Sequence, residues 1–205
     1  MKYHLQVVDN FFDNPDYVRN FALQQKFIRE EVNYPGARTD FISNLNPDFY
    51  HYCMSKITKL YFDSGKEIIY DSKCSFQIID NKYRKGWIHC DDIEYYDVAG
   101  VIYLTPNAPL DAGTSIYRKK TEHLKTYDIK YNEFAERQKI NLEEYYKVQD
   151  EYNSQFEKTL EIGNVYNRLV VYSVEEWHAQ SGFFGTTLED SRLTQVFFIK
   201  FDIVK

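Results

Sequence analysis

Two histidines, one aspartate and one arginine have the types and spacing of a site that could hold a metal and an anion. His89 and Asp91 stand two apart in Gly86-Trp87-Ile88-His89-Cys90-Asp91; His178 lies far downstream, and Arg192 follows it by fourteen residues. Two imidazoles and a carboxylate can fill one face of a six-coordinate iron(II), leaving the opposite face for a co-substrate and dioxygen. An arginine can then hold the far carboxylate of that co-substrate through two parallel N–H···O bonds. Chemistry of this kind is oxygenation.

The sequence around these residues says how they would be presented. In an extended segment His89 and Asp91 share a face, while Cys90 points away and serves as a passive core residue. His178 follows the β-like run Arg168 to Val174 and precedes Ala179-Gln180-Ser181-Gly182, which reads as a turn. Both histidines then lie at strand edges, and closure of a barrel would bring them together. Trp87 and Trp177 sit beside them and would wall the site off from solvent. Arg192 opens the run Ser191 to Phe198, with Thr194 on its face at i+2, where a hydroxyl could join the same carboxylate. Each feature has a plainer reading. An H-x-D pair arises by chance, a strand histidine is more often packed than ligating, and Arg192 could pair with Asp190 or Glu189. The four together favour a site. His4, His51 and His123 have no partner spacing and read as surface or structural residues. Arg38, after Tyr34-Pro35-Gly36, could border a pocket and contact an acidic substrate, or stand in a solvated loop.

The elements that must position these residues are legible in outline. Residues 3–8 alternate and suggest a first strand. Asn14-Pro15-Asp16 and Asn46-Pro47-Asp48 each combine an N-capping Asn, Pro at the first helical position and an acid in the first turn. The first helix is expected to run to about Gln25; the second carries Cys53, Ile57, Leu60 and Tyr61 at i, i+4, i+7 and i+8. Between them, residues 33–38 read as a turn or loop. From about residue 73 short β-branched and aromatic runs take over: Cys74 to Ile79, Trp87 to His89, Val98 to Leu104, Thr114 to Arg118, Arg168 to Val174 and Leu193 to Ile203. Residues 119–163 are polar and charged. Leu142, Tyr145, Tyr152, Phe156 and Leu160 form a helical stripe broken by Gln149, so the segment is expected to be a helical insertion: a surface excursion, a lid or a subunit contact.

The expected fold is therefore mainly β with flanking helices (α+β), a sandwich or jelly-roll barrel in one domain spanning residues 1–205. Residues 1–72 would be N-terminal helical support, residues 73–203 the core and residues 119–163 the insertion. A chain of 205 residues with 43% hydrophobic and 18% aromatic content can bury one large core, which excludes a disordered chain. A net charge of −6 disfavours nucleic acid as a general partner. Cys53, Cys74 and Cys90 show neither a disulfide framework nor a cysteine metal site. No signal peptide is visible and no apolar run approaches the ~20 residues that span a bilayer, so a soluble cytoplasmic protein is expected, with no membrane partner. The oligomeric state is open.

These residues resemble the iron(II)- and 2-oxoglutarate-dependent dioxygenase superfamily, and within it the prolyl-4-hydroxylase-like members. The likeness covers about residues 73–203 without the insertion. A strand precedes H-x-D; then come Val101-Ile102-Tyr103-Leu104, Gly113-Thr114-Ser115-Ile116-Tyr117, the second His and Arg-x-Thr. Ala112 replaces the first Gly of the family's usual Gly-Gly-Thr, and Arg192 stands where prolyl hydroxylases tend to have Lys. The resemblance implies a double-stranded β-helix core with iron(II) on His89, Asp91 and His178. Arg192 and Thr194 would hold 2-oxoglutarate, with Tyr103 and Gln77 lining its pocket and Tyr83 a candidate for the family's tyrosine ahead of H-x-D. It implies hydroxylation of a C–H bond of a peptidyl, prolyl or amino-acid-like substrate, consuming dioxygen and releasing succinate and carbon dioxide. Ascorbate joins iron(II) and 2-oxoglutarate among the candidate cofactors. The alternatives are a cupin-like metal-binding jelly roll without 2-oxoglutarate, in which Arg192 has no task, and a structural or binding jelly roll.

Overall fold

Two antiparallel sheets face each other, and the candidate residues come from both. The computed structural model describes residues 3–29, 34–62, 68–124 and 142–203. In chain order the elements are β1 (Gln6–Val8), α1 (Pro15–Leu23), β2 (Ala37–Arg38), α2 (Ile42–Leu45), α3 (Pro47–Thr58), β3 (Ile68–Ile79) and β4 (Val98–Tyr103). A 3-10 turn (Leu110–Ala112), β5 (Thr114–Lys119), α4 (Leu142–Asn153), β6 (Phe156–Ile162), β7 (Leu169–Ser173), β8 (Trp177–Gln180) and β9 (Arg192–Ile203) follow. The larger sheet has the order β1-β7-β4-β9-β3-β2 and the smaller β6-β5-β8. This is the jelly-roll core expected from the sequence.

Strand alternation sorts the larger sheet's side chains. Phe76, Ile102, Val171, Leu193, Phe197 and Ile199 are buried in one cluster with Val18 and Ala22 of α1 and Phe49, Cys53, Met54 and Ile57 of α3. The opposite, inner face carries Ala99, Tyr103, Val170 and Tyr172 in a second cluster. Both helices start as expected: the Asn14 side chain accepts a hydrogen bond from the Tyr17 backbone N–H, and that of Asn46 accepts one from Phe49. A carbonyl-bearing cap satisfies an N–H that the helix itself cannot.

Four expectations change. The N-terminal part is not helical support alone, because β1 and β2 form both edges of the larger sheet. β2 falls in the stretch read as a loop; Gly36, at φ +79°, turns the chain so that Ala37 and Arg38 pair with Ile78 and Gln77. The expected helical insertion contains the helix α4, but Phe156–Ile162 is a strand paired with β5. Phe156 and Leu160 are four apart, a spacing that fits one helix face and one strand face equally, so the sequence stripe ran two elements together. Residues 125–141 of that insertion lie outside the described residues. β8 likewise occupies sequence read as a turn: Ala179 and Gln180 pair with Ser115 and Thr114.

Candidate metal and co-substrate site

The backbone itself brings the two histidines together. His89 and His178 face each other in an antiparallel bridge, with N–H···O distances of 3.0 and 2.8 Å, and the Asp91 N–H is bonded to the Val174 carbonyl at 3.1 Å. The bridge adds the 87–89 segment beside β8 in the smaller sheet. Three side chains thereby converge. His89 Nε2 is 3.7 Å from Asp91 Oδ1, and His178 Nε2 is 3.5 Å from Asp91 Oδ2. One donor atom from each residue lies within 4.8 Å of the other two. Ligands about 2.1 Å from one ion and at right angles stand about 3 Å apart, so these separations suit three donors around a metal.

The second ring nitrogens show which form the imidazoles take. His89 Nδ1 is 2.8 Å from the Trp87 carbonyl oxygen and His178 Nδ1 is 2.9 Å from that of Glu176. A carbonyl only accepts, so each Nδ1 carries a proton, and Nε2 is the nitrogen left to face Asp91. Burial pushes His178 down to about 4 against the opposing pull of Asp91, which keeps the ring neutral. The Asp91 Oδ2 atom is buried without a hydrogen-bond partner. A buried, unsatisfied carboxylate oxygen beside the Nε2 atoms of two imidazoles fits a divalent cation.

An arrangement of unsatisfied polar atoms sits beyond this group. Arg192, Thr194, Tyr103 and Gln77 are all buried, and strand register sets Thr194 between Gln77 and Tyr103. Arg192 Nε donates to the Ala112 carbonyl at 3.2 Å, and its guanidinium lies over the Tyr103 ring, 5.4 Å from the centroid. The Tyr103 and Thr114 hydroxyls are 2.7 Å apart. Arg192 Nη2 and Thr194 Oγ1 have no partner, and among the described residues no carboxylate pairs with Arg192. Neither Asp190 nor Glu189 neutralises it: Asp190 accepts bonds from Thr186 and Thr187. A buried cation with spare donors fits an incoming carboxylate.

A cavity of about 480 Å³ opens over the triad, a size usual for small-molecule sites. His89, Asp91, His178, Gln77, Trp87 and Tyr172 line it. Arg192, Thr194 and Tyr103 are buried and are not among its lining residues. Tyr172 joins the two groups: its ring is 4.5 Å from that of His178, it shares a cluster with Tyr103, and burial together with the Asp91 charge raises its hydroxyl pKa. The sequence reading missed Tyr172, although alternation through Val170, Tyr172 and Val174 is a signal for an inner face.

Other candidates sit elsewhere. Gln77 lines the cavity but its Nε2 donates to the Pro35 carbonyl at 2.8 Å. Tyr83 packs on Phe183, away from the cavity lining. Trp87 walls the cavity, whereas Trp177 packs on Phe156 and under Lys119. Cys90 is not a core residue; it is half-buried at the cavity edge and its thiol donates to the Glu175 carbonyl. His4, His51 and His123 are exposed.

The helix α4 supports the triad from outside. Asn153 accepts from the Ile88 N–H at 3.0 Å and donates to the Gly86 carbonyl at 3.1 Å, while Gln149 donates to the Lys85 carbonyl at 3.0 Å. Trp87 Nε1 donates to the Tyr145 hydroxyl. Gln149, the flaw in the apolar stripe, is thus a backbone clamp on the segment that delivers His89.

The family model described as "Family of unknown function (DUF6445)" matches residues 1–196. The chain belongs to the DUF6445 family. Among curated proteins none matches its sequence. Solved structures similar to this DUF6445 member include a prolyl hydroxylase from Trichoplax adhaerens in complex with a hypoxia inducible factor peptide fragment. The two are 13% identical with a TM-score of 0.55, over 95% of this chain and 82% of that one. HygX from Streptomyces hygroscopicus, with nickel and 2-oxoglutarate bound, is 9% identical with a TM-score of 0.57, over 97% of this chain and 83% of its own. The epimerase SnoN, in complex with Fe3+, alpha ketoglutarate and nogalamycin RO, is 12% identical with a TM-score of 0.58, over 97% and 79%. This DUF6445 chain has the fold of the iron(II)- and 2-oxoglutarate-dependent oxygenases. Among its described residues no helix is long and apolar enough to cross a membrane.

Proposed function

We propose that the protein is a non-haem iron(II)- and 2-oxoglutarate-dependent oxygenase acting on a small-molecule or peptidyl substrate. The observation that carries this reading is the pairing of two unsatisfied groups in one interior: the His89, Asp91 and His178 donors, and the buried Arg192 cation without a carboxylate. Either alone has a plainer account. A cupin-like metal site without a keto acid explains the triad and leaves a desolvated guanidinium uncompensated, which is costly.

His89, Asp91 and His178 would hold the metal, with the Trp87 and Glu176 carbonyls fixing both imidazole tautomers. Arg192 would bind the distal carboxylate of 2-oxoglutarate, assisted by the Thr194 hydroxyl. Tyr103 would orient the guanidinium through its ring and hold its own hydroxyl on Thr114. Trp87 and Tyr172 would keep water from the reacting centre. When bound, iron(II) and the keto acid supply the oxidation of a substrate C–H bond by dioxygen, with succinate and carbon dioxide released.

Anaerobic titration tests this. Iron(II) followed by 2-oxoglutarate should give a weak visible charge-transfer band in the wild type and none in Asp91→Ala. A wild-type protein that binds iron with no band on adding the keto acid would remove 2-oxoglutarate from the account.

A further inference from the structure

The cavity lining contains a second cation for which the proposed chemistry has no use. Arg38 on β2 lines the cavity together with Lys73 of β3. The Arg38 guanidinium stacks on the Tyr34 ring at 3.8 Å from its centroid, and its Nε is buried without a hydrogen-bond partner. Among the described residues Arg38 forms no ion pair, and burial pushes it down to about 10 against the pull of Tyr34 and Asp91. It therefore stays charged and lies within electrostatic reach of the triad. Lys73 also makes no ion pair among the described residues, and its ammonium stands 6.0 Å from the centroid of the Tyr96 ring. The cavity's acids do not neutralise them. Asp91 belongs to the triad, and Asp92 accepts the Glu94 backbone N–H to shape its own loop.

Arg38 is held in place by the fold. Its backbone pairs with Gln77 on one side and exchanges two hydrogen bonds with Ile28, at 2.8 and 3.1 Å, on the other. Gln77 ties down the preceding Pro35 carbonyl. A Cβ on Gly36 would lie 2.0 Å from the Ile78 carbonyl oxygen, so the turn delivering Arg38 needs glycine. A guanidinium fixed by backbone, stacked on an aromatic ring and short of acceptors is built to receive a planar oxyanion. Elsewhere in the same cavity Pro35, Tyr96, Val101 and Phe198 offer apolar surface.

We propose that Arg38, with Lys73, forms the substrate subsite of this oxygenase and that the substrate carries a carboxylate on an apolar or aromatic body. This rests on the function proposed above. It places two anion sites in one molecule: Arg192 in the interior for the co-substrate, and Arg38 in the cavity wall for the molecule to be oxidised.

The test uses the full chain loaded with zinc and 2-oxoglutarate. Matched carboxylate and primary-amide pairs serve as probes: 3-phenylpropionate, hexanoate and N-acetyl-L-phenylalanine, each against its amide. Binding is followed by calorimetry. At least one carboxylate should bind the wild type about ten- to a hundredfold tighter than its amide, the range for a charge-assisted hydrogen bond. Arg38→Gln should bring the pair within twofold, and Arg38→Lys should restore part of the preference. A wild type with no carboxylate preference, or a preference that survives Arg38→Gln, overturns the proposal. So does competition of the carboxylates with 2-oxoglutarate, which would make Arg38 a co-substrate residue. Metal affinity and the iron–2-oxoglutarate band are measured on the same variants. Arg38→Gln should leave both within twofold of wild type, and loss of either would assign Arg38 to the metal site instead. Absence of the band in the wild type would count against the oxygenase reading, whereas the zinc-protein calorimetry reports on Arg38 separately.

Discussion

At the scale of single residues, the proposed metal and anion sites use different side chains, and substitutions should separate them. Arg192 forms no ion pair with Asp91, and its Nη2 is left without a hydrogen-bond partner. Arg192→Ala should therefore raise the 2-oxoglutarate concentration needed for half-saturation by about ten- to a hundredfold, from the loss of charge-assisted bonds. Iron affinity measured by competition should stay within a few-fold of wild type. Equal loss of both would make Arg192 a folding residue. The grouping of these side chains was legible in the sequence, because H-x-D on an extended segment and Arg-x-Thr on a strand fix side-chain directions by alternation alone. Tyr172 was not, since one tyrosine among 19 carries no local mark of the imidazole it will stack on. Trp177 failed for the reverse reason: adjacency to His178 in an extended strand puts it on the opposite face.

At the scale of elements, the smaller sheet and α4 hold the triad. β8 carries His178 and bridges to His89, yet Ala179-Gln180-Ser181-Gly182 looked like a turn because the strand is only four residues long and polar at its end. Short strands paired on both sides need no strong propensity of their own. The N-caps of α1 and α3 were readable because the Asn-Pro-Asp chemistry is local. The role of α4 was not, because its Gln149 and Asn153 bond to backbone more than sixty residues away. Asn153→Ala would leave the Ile88 N–H and Gly86 carbonyl without partners, costing about 1–3 kcal/mol in stability by denaturant unfolding. Displacement of His89 should also weaken metal binding by about tenfold or more, as supporting contacts around a metal commonly do. Lost stability with unchanged metal affinity would show that the clamp serves the fold alone.

At the scale of the whole molecule, an acidic chain sets cations into its interior. The net charge is −6, yet Arg38 and Lys73 in the cavity lining and the buried Arg192 form no ion pair among the described residues. The two sheets divide the work: the smaller supplies both histidines, and the larger supplies Arg192, Thr194, Tyr103, Gln77 and Arg38. Composition and strand count indicated such a two-layer body, and alternation marked the first strand, but not the edge strand β2 or the edge positions of both, whose pairing depends on partners far along the chain. The most direct measurement is a crystal structure of the protein with manganese(II) and 2-oxoglutarate, read by anomalous scattering. The account predicts one manganese peak among His89, Asp91 and His178, and the distal carboxylate of the keto acid on Arg192 and Thr194. Manganese held by other residues, or a keto acid whose distal carboxylate rests on Arg38, would contradict it.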